Sequence, residues 1–324
     1  MQNSIHTDLA IEASAVENIN FTDKKTSGIS TNIFEKNDIT VTEVKITNQN
    51  GENLTGKPIG KYVTLEIPRL RDHITETYEN AKDALTKELK KFFDLKKIRT
   101  ILVVGLGNRF VTPDALGPKV IDKLLVTRHL YDVLPESITK TMHSLCAVAP
   151  GVLGITGIET GEIVKGITDK VSPDIIIAID ALASRKTSRI STTFQIADTG
   201  IIPGSGIGNK RQAINKETMG VPVIAIGVPT VIEAASVAND AIDMLIETVK
   251  SNADKNSEFY RLIDAFDNEN RYKLISEILT PSGSELIVTP KEVDSLIDEV
   301  SGIIADSINE AVNGKTSREL GKII

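Results

Sequence analysis

Three short runs constrain the fold of this chain more than anything else in it. Thr100-Ile-Leu-Val-Val-Gly105, Asp174-Ile-Ile-Ile-Ala-Ile-Asp180 and Pro222-Val-Ile-Ala-Ile-Gly-Val228 are almost continuously apolar. They are too short for buried helices and lack the alternation of a half-exposed strand, so they read as strands covered on both faces. Helical patterns lie between and around them. Residues 72–96 place apolar side chains at Ile74, Tyr78, Ala81, Leu85 and Leu89, and residues 115–133 and 158–169 resume the same period. Strands alternating with helices predict an α/β fold: a mostly parallel central sheet flanked by helices.

Other segments add to that centre. Ile39–Ile46 alternates as a strand, the following "NQNGENLTGKPIG" carries turn signals, and Tyr62–Ile67 is a second strand ended by Pro68. Thr192–Ala197 reads as a further strand. After Val228 the text "PTVIEAASVANDAIDMLIETV" predicts a loop and then a helix, with Thr230 as its N-cap. Helical stretches are expected at 257–279 and from Thr289-Pro290 onward, where proline suits a first helical turn. Residues 1–30 are polar and mixed in charge, and read as an extended or poorly ordered segment.

Composition narrows the function classes. A net charge of −7 argues against nucleic acid or an anionic membrane as the main partner, and 4% aromatics with no Trp argues against a base-stacking platform. The single Cys146 precludes an internal disulfide, and no Cys/His spacing resembles a zinc site, so a reducing cytoplasmic compartment fits and no metal or other cofactor is expected. No apolar run approaches the ~18 residues of a membrane helix, and the first residues do not form a secretory signal.

The stretch "VVGLGNRFVTPDALGP", residues 103–118, poses the functional question. A dinucleotide fingerprint needs a third glycine where Phe110 stands, and no phosphate-binding lysine follows. "GLGN" also opens peptidyl-tRNA hydrolases, and Thr127-Arg128-His129 is present, but the context around Asn108 differs from theirs. The glycines then serve as a turn leaving a buried strand, and attention moves to carboxylates. Ligands in open α/β sheets bind beyond the C-terminal strand ends. Asp180 stands at one such end, and Asp114 follows another by one loop. If the two strands are neighbours, the pair can share a proton, one activating water while the other polarises a carbonyl. Taken alone, each Asp is an ordinary cap or loop residue. Asp198-Thr199-Gly200 matches the tripeptide of pepsin-like and retroviral proteases, but once only and in a glycine-rich loop, which makes Asp198 at most a site-lining candidate beside Gly107, Asn108, Arg109 and Arg185.

Five motifs taken together are more specific. "VVGLGNRFVTPDALGPKV", "HSLCAVAPGVLGITGIET", "DIIIAIDALASR", "DTGIIPGSGIGNKR" and "VIAIGVPTVIEA" occur in order over residues 103–234. With them the chain closely resembles the germination proteases of spore-forming Firmicutes, endopeptidases that degrade small acid-soluble spore proteins. The resemblance implies an atypical aspartic protease, related in fold to hydrogenase maturation proteases, with Asp114 and Asp180 catalytic. It implies a homotetramer in the cytoplasm of the developing spore, made as a zymogen that removes its own propeptide after an acidic residue followed by an apolar residue and Ala. Thr7-Asp8-Leu9-Ala10 offers that pattern, so the expected cut is Asp8–Leu9, leaving a short propeptide of residues 1–8 and a single protease domain over 9–324. The same pattern would be cleaved in the spore-protein substrates, with no direct contact to DNA. A cation is needed to read the acidic residue before the cut; Arg109, Arg185 and Lys210-Arg211 are the candidates. The alternative enzyme is a nickel-dependent endopeptidase of the hydrogenase-maturation type.

Overall fold

A computed structural model describes residues 7–13, 28–133, 135–140, 142–203, 212–252, 268–279 and 286–314. Among these residues nine strands form one sheet. They are β1 (Ile29–Lys36), β2 (Ile39–Ile46), β3 (Gly60–Glu66), β4 (Thr100–Gly105), β5 (Ser144–Val148), β6 (Ile175–Ser184), β7 (Thr193–Ala197), β8 (Val223–Glu233) and β9 (Ile287–Val288). The order is β1-β2-β3-β7-β8-β6-β4-β5, with β9 on β8. The helices of seven residues or more are α1 (Gln49–Thr55), α2 (Thr75–Leu89), α3 (Leu116–Lys123), α4 (Thr160–Val171), α5 (Ala234–Asn252), α6 (Asn268–Leu279) and α7 (Val293–Asn313).

The fold is α/β with a central sheet flanked by helices, and the sheet is mixed. The block β8-β6-β4-β5 is parallel, as the apolar runs require, while β1, β2, β3, β7 and β9 join in antiparallel fashion. Alternation within the buried strands feeds two layers. Ile101 and Val103 of β4 and Ile175, Ile177 and Ile179 of β6 pack with Leu85 of α2, Leu116 of α3 and Ile304 of α7. Leu102 and Val104 of β4 and Ile176 and Ala178 of β6 turn the other way, toward Val164 of α4 and Met219. An apolar run was needed because both faces are dry.

Several local expectations change. The turn-rich stretch after β2 contains α1, because Asn48 accepts a hydrogen bond from the Gly51 N–H and Gly56 closes the helix in the left-handed region at φ 65°. The helical pattern of 115–133 stops at Lys123: Leu124 turns extended, and a 3₁₀ turn at Arg128–Asp132 follows. β6 does not end at Asp180 but runs on to Ser184. β8 likewise continues through Pro229, and Thr230 is no helix cap. Leu182 pairs with Pro229 and Ala183 with Val231, so Thr230 is the extra residue of a bulge, and α5 begins only at Ala234. Of the stretch 257–279, the part from Asn268 is helical and the rest lies outside the described residues. Of the first thirty residues, Leu9, Ala10 and Ala13 are buried rather than loose. No helix among the described residues is long and apolar enough to cross a membrane.

The site depends on a close approach between β4 and α3. A Cβ on Gly117 would lie 2.3 Å from the Leu106 carbonyl oxygen and 2.4 Å from its nitrogen, both backbone atoms that have no rotamer to escape into. Gly117→Ala is therefore expected to destabilise the protein by about 1–3 kcal/mol through overpacking. A urea titration with a lowered midpoint and unchanged slope is the check.

Candidate active site

β4 and β6 are parallel neighbours whose onward connections leave to opposite sides, β4 to β5 and β6 to β7 beyond β8. Such a switch point opens a crevice beyond the strand ends. Gly105 pairs with Ile179, and the Leu106 N–H donates to the Ile179 carbonyl at 2.8 Å, so the glycine loop is tied to the residue before Asp180. The loop then folds back on Asp114. Gly107 takes φ 106°, and a Cβ there would lie 2.0 Å from the Asp114 carbonyl oxygen, so only glycine fits. The Asn108 N–H donates to the Asp114 backbone oxygen at 3.0 Å and to its carboxylate at 2.8 Å. The 3₁₀ turn that ends at Asp114 packs against both β6 and β8.

Asp180 is buried and its carboxylate accepts from the Ala181 N–H at 3.0 Å. Asp114 is half-buried. Both line one cavity of about 550 Å³, together with Tyr62, Gln195, Gly227, Thr230 and Asp8. The Tyr62 phenol, pushed up to about 12 chiefly by burial, donates to the Pro58 carbonyl and stays protonated near neutrality. The Thr230 hydroxyl is buried with no hydrogen-bond partner among the described residues.

The chain's own N-terminal segment reaches this cavity through Asp8. The Asp8 N–H donates to the Ala183 carbonyl at 3.2 Å, and the Ala183 N–H donates to the Asp8 carboxylate at 2.9 Å. Leu9 is fully buried, which contributes about 1.5–3 kcal/mol. The Lys57 ammonium donates to the Thr7 carbonyl at 2.9 Å; burial holds its pKa below the ordinary lysine value, and the Asp8 and Glu12 carboxylates oppose that shift. Glu12 is buried as well. It accepts from Arg189 at 2.9 Å and from the N–H groups of Arg185 and Lys186 at 2.7 and 3.2 Å, while Arg189 also holds Glu66.

The other sequence candidates have plain positions. Gly107 and Asn108 build the loop that grips Asp114. Arg109 is exposed and paired with Asp122. Arg185 meets the N-terminal segment through its backbone N–H. Asp198 is exposed and its carboxylate accepts from the Lys61 N–H at 2.7 Å, while Ala197 and Thr199 on either side line the cavity. Lys210 and Arg211 lie outside the described residues. Burial pushes the Cys146 thiol pKa up, which keeps it from acting as a thiolate nucleophile. Among the described residues no three His, Cys, Asp or Glu side chains gather as a metal site. The sequence reading missed Lys57, Arg189 and Gln195; each looks like an ordinary strand or loop residue until the N-terminal segment is seen against it.

Glu12 keeps several donors, so Glu12→Gln removes charge-assisted bonds without emptying the berth. The loss is expected to be about 2 kcal/mol of local docking. Hydrogen–deuterium exchange at Leu9–Ala13 would then speed about 30-fold, the equivalent of that energy; an unchanged rate would mean the segment is pinned elsewhere.

The chain matches known proteins over almost its whole length. The family model described as germination protease matches residues 6–265 and 247–322. A germination protease of Clostridium acetobutylicum is 48% identical over 313 residues, covering 96% of this chain and 95% of that protein. One from Clostridium tetani is 46% identical, covering 95% of each, and one from Priestia megaterium is 40% identical, covering 98% of this chain and 96% of that protein. Among solved structures, a [NiFe] hydrogenase maturation protease from Thermococcus kodakarensis is similar at 22% identity and a TM-score of 0.29, covering 44% of this chain and 80% of that one. By sequence, then, the chain with Asp114 and Asp180 over one cavity belongs to the germination protease family.

Proposed function

We propose that this germination endopeptidase hydrolyses peptide bonds with Asp114 and Asp180 as an aspartic pair. The observation that carries the reading is that both carboxylates line one cavity, which Asp8, the acidic residue of the chain's own acidic–apolar–Ala segment, lines as well. In this reading one carboxylate, ionised, takes a proton from water while the other, protonated, polarises the scissile carbonyl. Two carboxyls in one confined site favour such unequal protonation, because both cannot easily be ionised there.

Asp8–Leu9 is the bond cut in self-processing, and residues 1–8 are the propeptide of a zymogen. The berth supports this, since Asp8 already holds a place in the cavity lining that another peptide would need. The substrates are small acid-soluble spore proteins in the spore interior, entering as extended chains with an acidic residue before the cut. Lys57, Arg185 and Arg189 supply the positive surroundings such a peptide needs. Assembly as a homotetramer fits the apolar side chains that α5 and α6 leave exposed, Met244, Leu245, Leu274 and Ile278 among them.

Asp114→Asn and Asp180→Asn separate this reading from that of a binding protein. Each is expected to abolish self-cleavage and spore-protein digestion, with a rate loss of at least about 10³-fold for a group acting in the chemical step. Mass spectrometry of the N-terminus should find Leu9 first in the processed wild type and the uncut chain in both variants. If either variant trims itself at the wild-type rate, the pair is not the catalyst.

A further inference from the structure

Gln195 lies on β7 at the register position that faces Gly227, and Gly227 faces Asp180 on β6. The three residues form one row across neighbouring strands, so their side chains belong to the same face. Two strand spacings put the backbones of Asp180 and Gln195 about 10 Å apart. Gln195 is 8% exposed and lines the cavity with both aspartates.

Its side-chain amide holds the backbone on both sides of the Asp8–Leu9 bond. The oxygen accepts from the Ala10 N–H at 2.6 Å, and the nitrogen donates to the Asp8 carbonyl at 3.3 Å. The orientation is forced: an N–H can only donate, so the amide oxygen must face Ala10, which leaves the NH₂ group for the Asp8 carbonyl. Both contacts are to main-chain groups, Asp8 ahead of the bond and Ala10 at the start of the 3₁₀ turn Ala10–Glu12, so they do not depend on side-chain identity. Ala183 adds a third main-chain hold, its carbonyl accepting from the Asp8 N–H, while its own N–H donates to the Asp8 carboxylate.

We propose that Gln195 is a catalytic residue of the endopeptidase, an amide clamp that aligns the scissile peptide and stabilises its carbonyl oxygen as charge develops. The inference rests on the reading that Asp8–Leu9 is the bond cut. Water adds to the Asp8 carbonyl carbon, and the carbonyl electron pair moves to the oxygen that faces the Gln195 NH₂. Collapse breaks the bond between the Asp8 carbon and the Leu9 nitrogen. The proton that the attacking water gives to the ionised carboxylate of the aspartic pair passes to the leaving nitrogen, giving a new α-carboxyl group on Asp8 and a Leu9 amine. A 3.3 Å ground-state contact is long for a hydrogen bond and tightens as the oxygen becomes negative, so its main effect falls on the transition state.

The test uses the full chain with Gln195→Glu, which keeps the shape but loses the NH₂ donor, and Gln195→Asn, which keeps the amide one methylene shorter. First-order self-cleavage should slow about 100-fold in Gln195→Glu, the usual loss for one carbonyl-oxygen donor. Once self-cleavage of each chain has run to completion, kcat for hydrolysis of an added peptide carrying Thr-Asp-Leu-Ala-Ile-Glu should fall by a similar factor with KM nearly unchanged. A merely structural role would instead lower the melting temperature or raise KM while leaving kcat near that of the wild type, and that result overturns the assignment, as does a self-cut mapped to another bond. Gln195→Asn keeps the assignment testable if Gln195→Glu does not fold, with an expected loss of about 10-fold or more. Asp114→Asn and Asp180→Asn are run alongside. If they are inactive and both Gln195 variants cut at the wild-type rate, only the Gln195 assignment falls; if they remain active, the aspartic pair falls and the Gln195 variants are judged by their own rates.

Discussion

The bond from the Leu106 N–H to the Ile179 carbonyl fixes everything at the crevice. It carries the chain from the end of β4 sideways onto β6 one residue before Asp180. From there Gly107, at φ 106°, lets the loop return so tightly that Asp114 sits against it with no room for a side chain between. Gly105 and Gly117 make the same bargain on the helix side, where backbone meets backbone. Asp114 and Asp180 are thus held by main-chain atoms, whose positions are stiffer than those of any side-chain network.

The second organising feature is the N-terminal segment. Leu9 and Ala10 are buried, Glu12 is enclosed by Arg189 and two backbone N–H groups, and Asp8 is read by the backbone of Ala183. These contacts come from β6, β7 and the turn after β6, so the segment ties together strands that carry the cavity floor. The segment is extended at Leu9 and turns into a 3₁₀ turn over Ala10–Glu12. The extension of β6 beyond Asp180 gives the segment an edge to bond to, at Ala183.

Much of the centre was legible from residue patterns. The three apolar runs became β4, β6 and β8, because a strand dry on both faces has no polar position to spare. The antiparallel half was less so: Ile39–Ile46 and the stretch from Tyr62 were recognisable by alternation, yet β1 lay hidden in a polar segment whose exposed Ile33 and Phe34 give no burial signal. α1 was concealed by Asn and Gly residues that act as its caps rather than as turns. Thr230 looked like a cap because loop and bulge use the same residues, and only the pairing of β6 with β8 distinguishes them.

The sequence by itself determined that one buried strand would carry Asp180 and another would lead through a glycine loop to Asp114, and its ordered motifs pointed to the germination proteases, to which the chain belongs. It determined, too, that Gly107 had work to do, since a glycine leaving a buried strand marks a turn that other residues resist. What only the tertiary structure decided is which residues stand opposite one another. Asp180, Gly227 and Gln195 share a row although they are far apart along the chain, because strand order and register, not spacing, set that row. Lys57 and Arg189 are charged residues on unremarkable loops until the N-terminal segment is laid against them. Periodicity reports how one element meets solvent; it carries no information about which distant element will cover it, and the candidate site is made of such coverings.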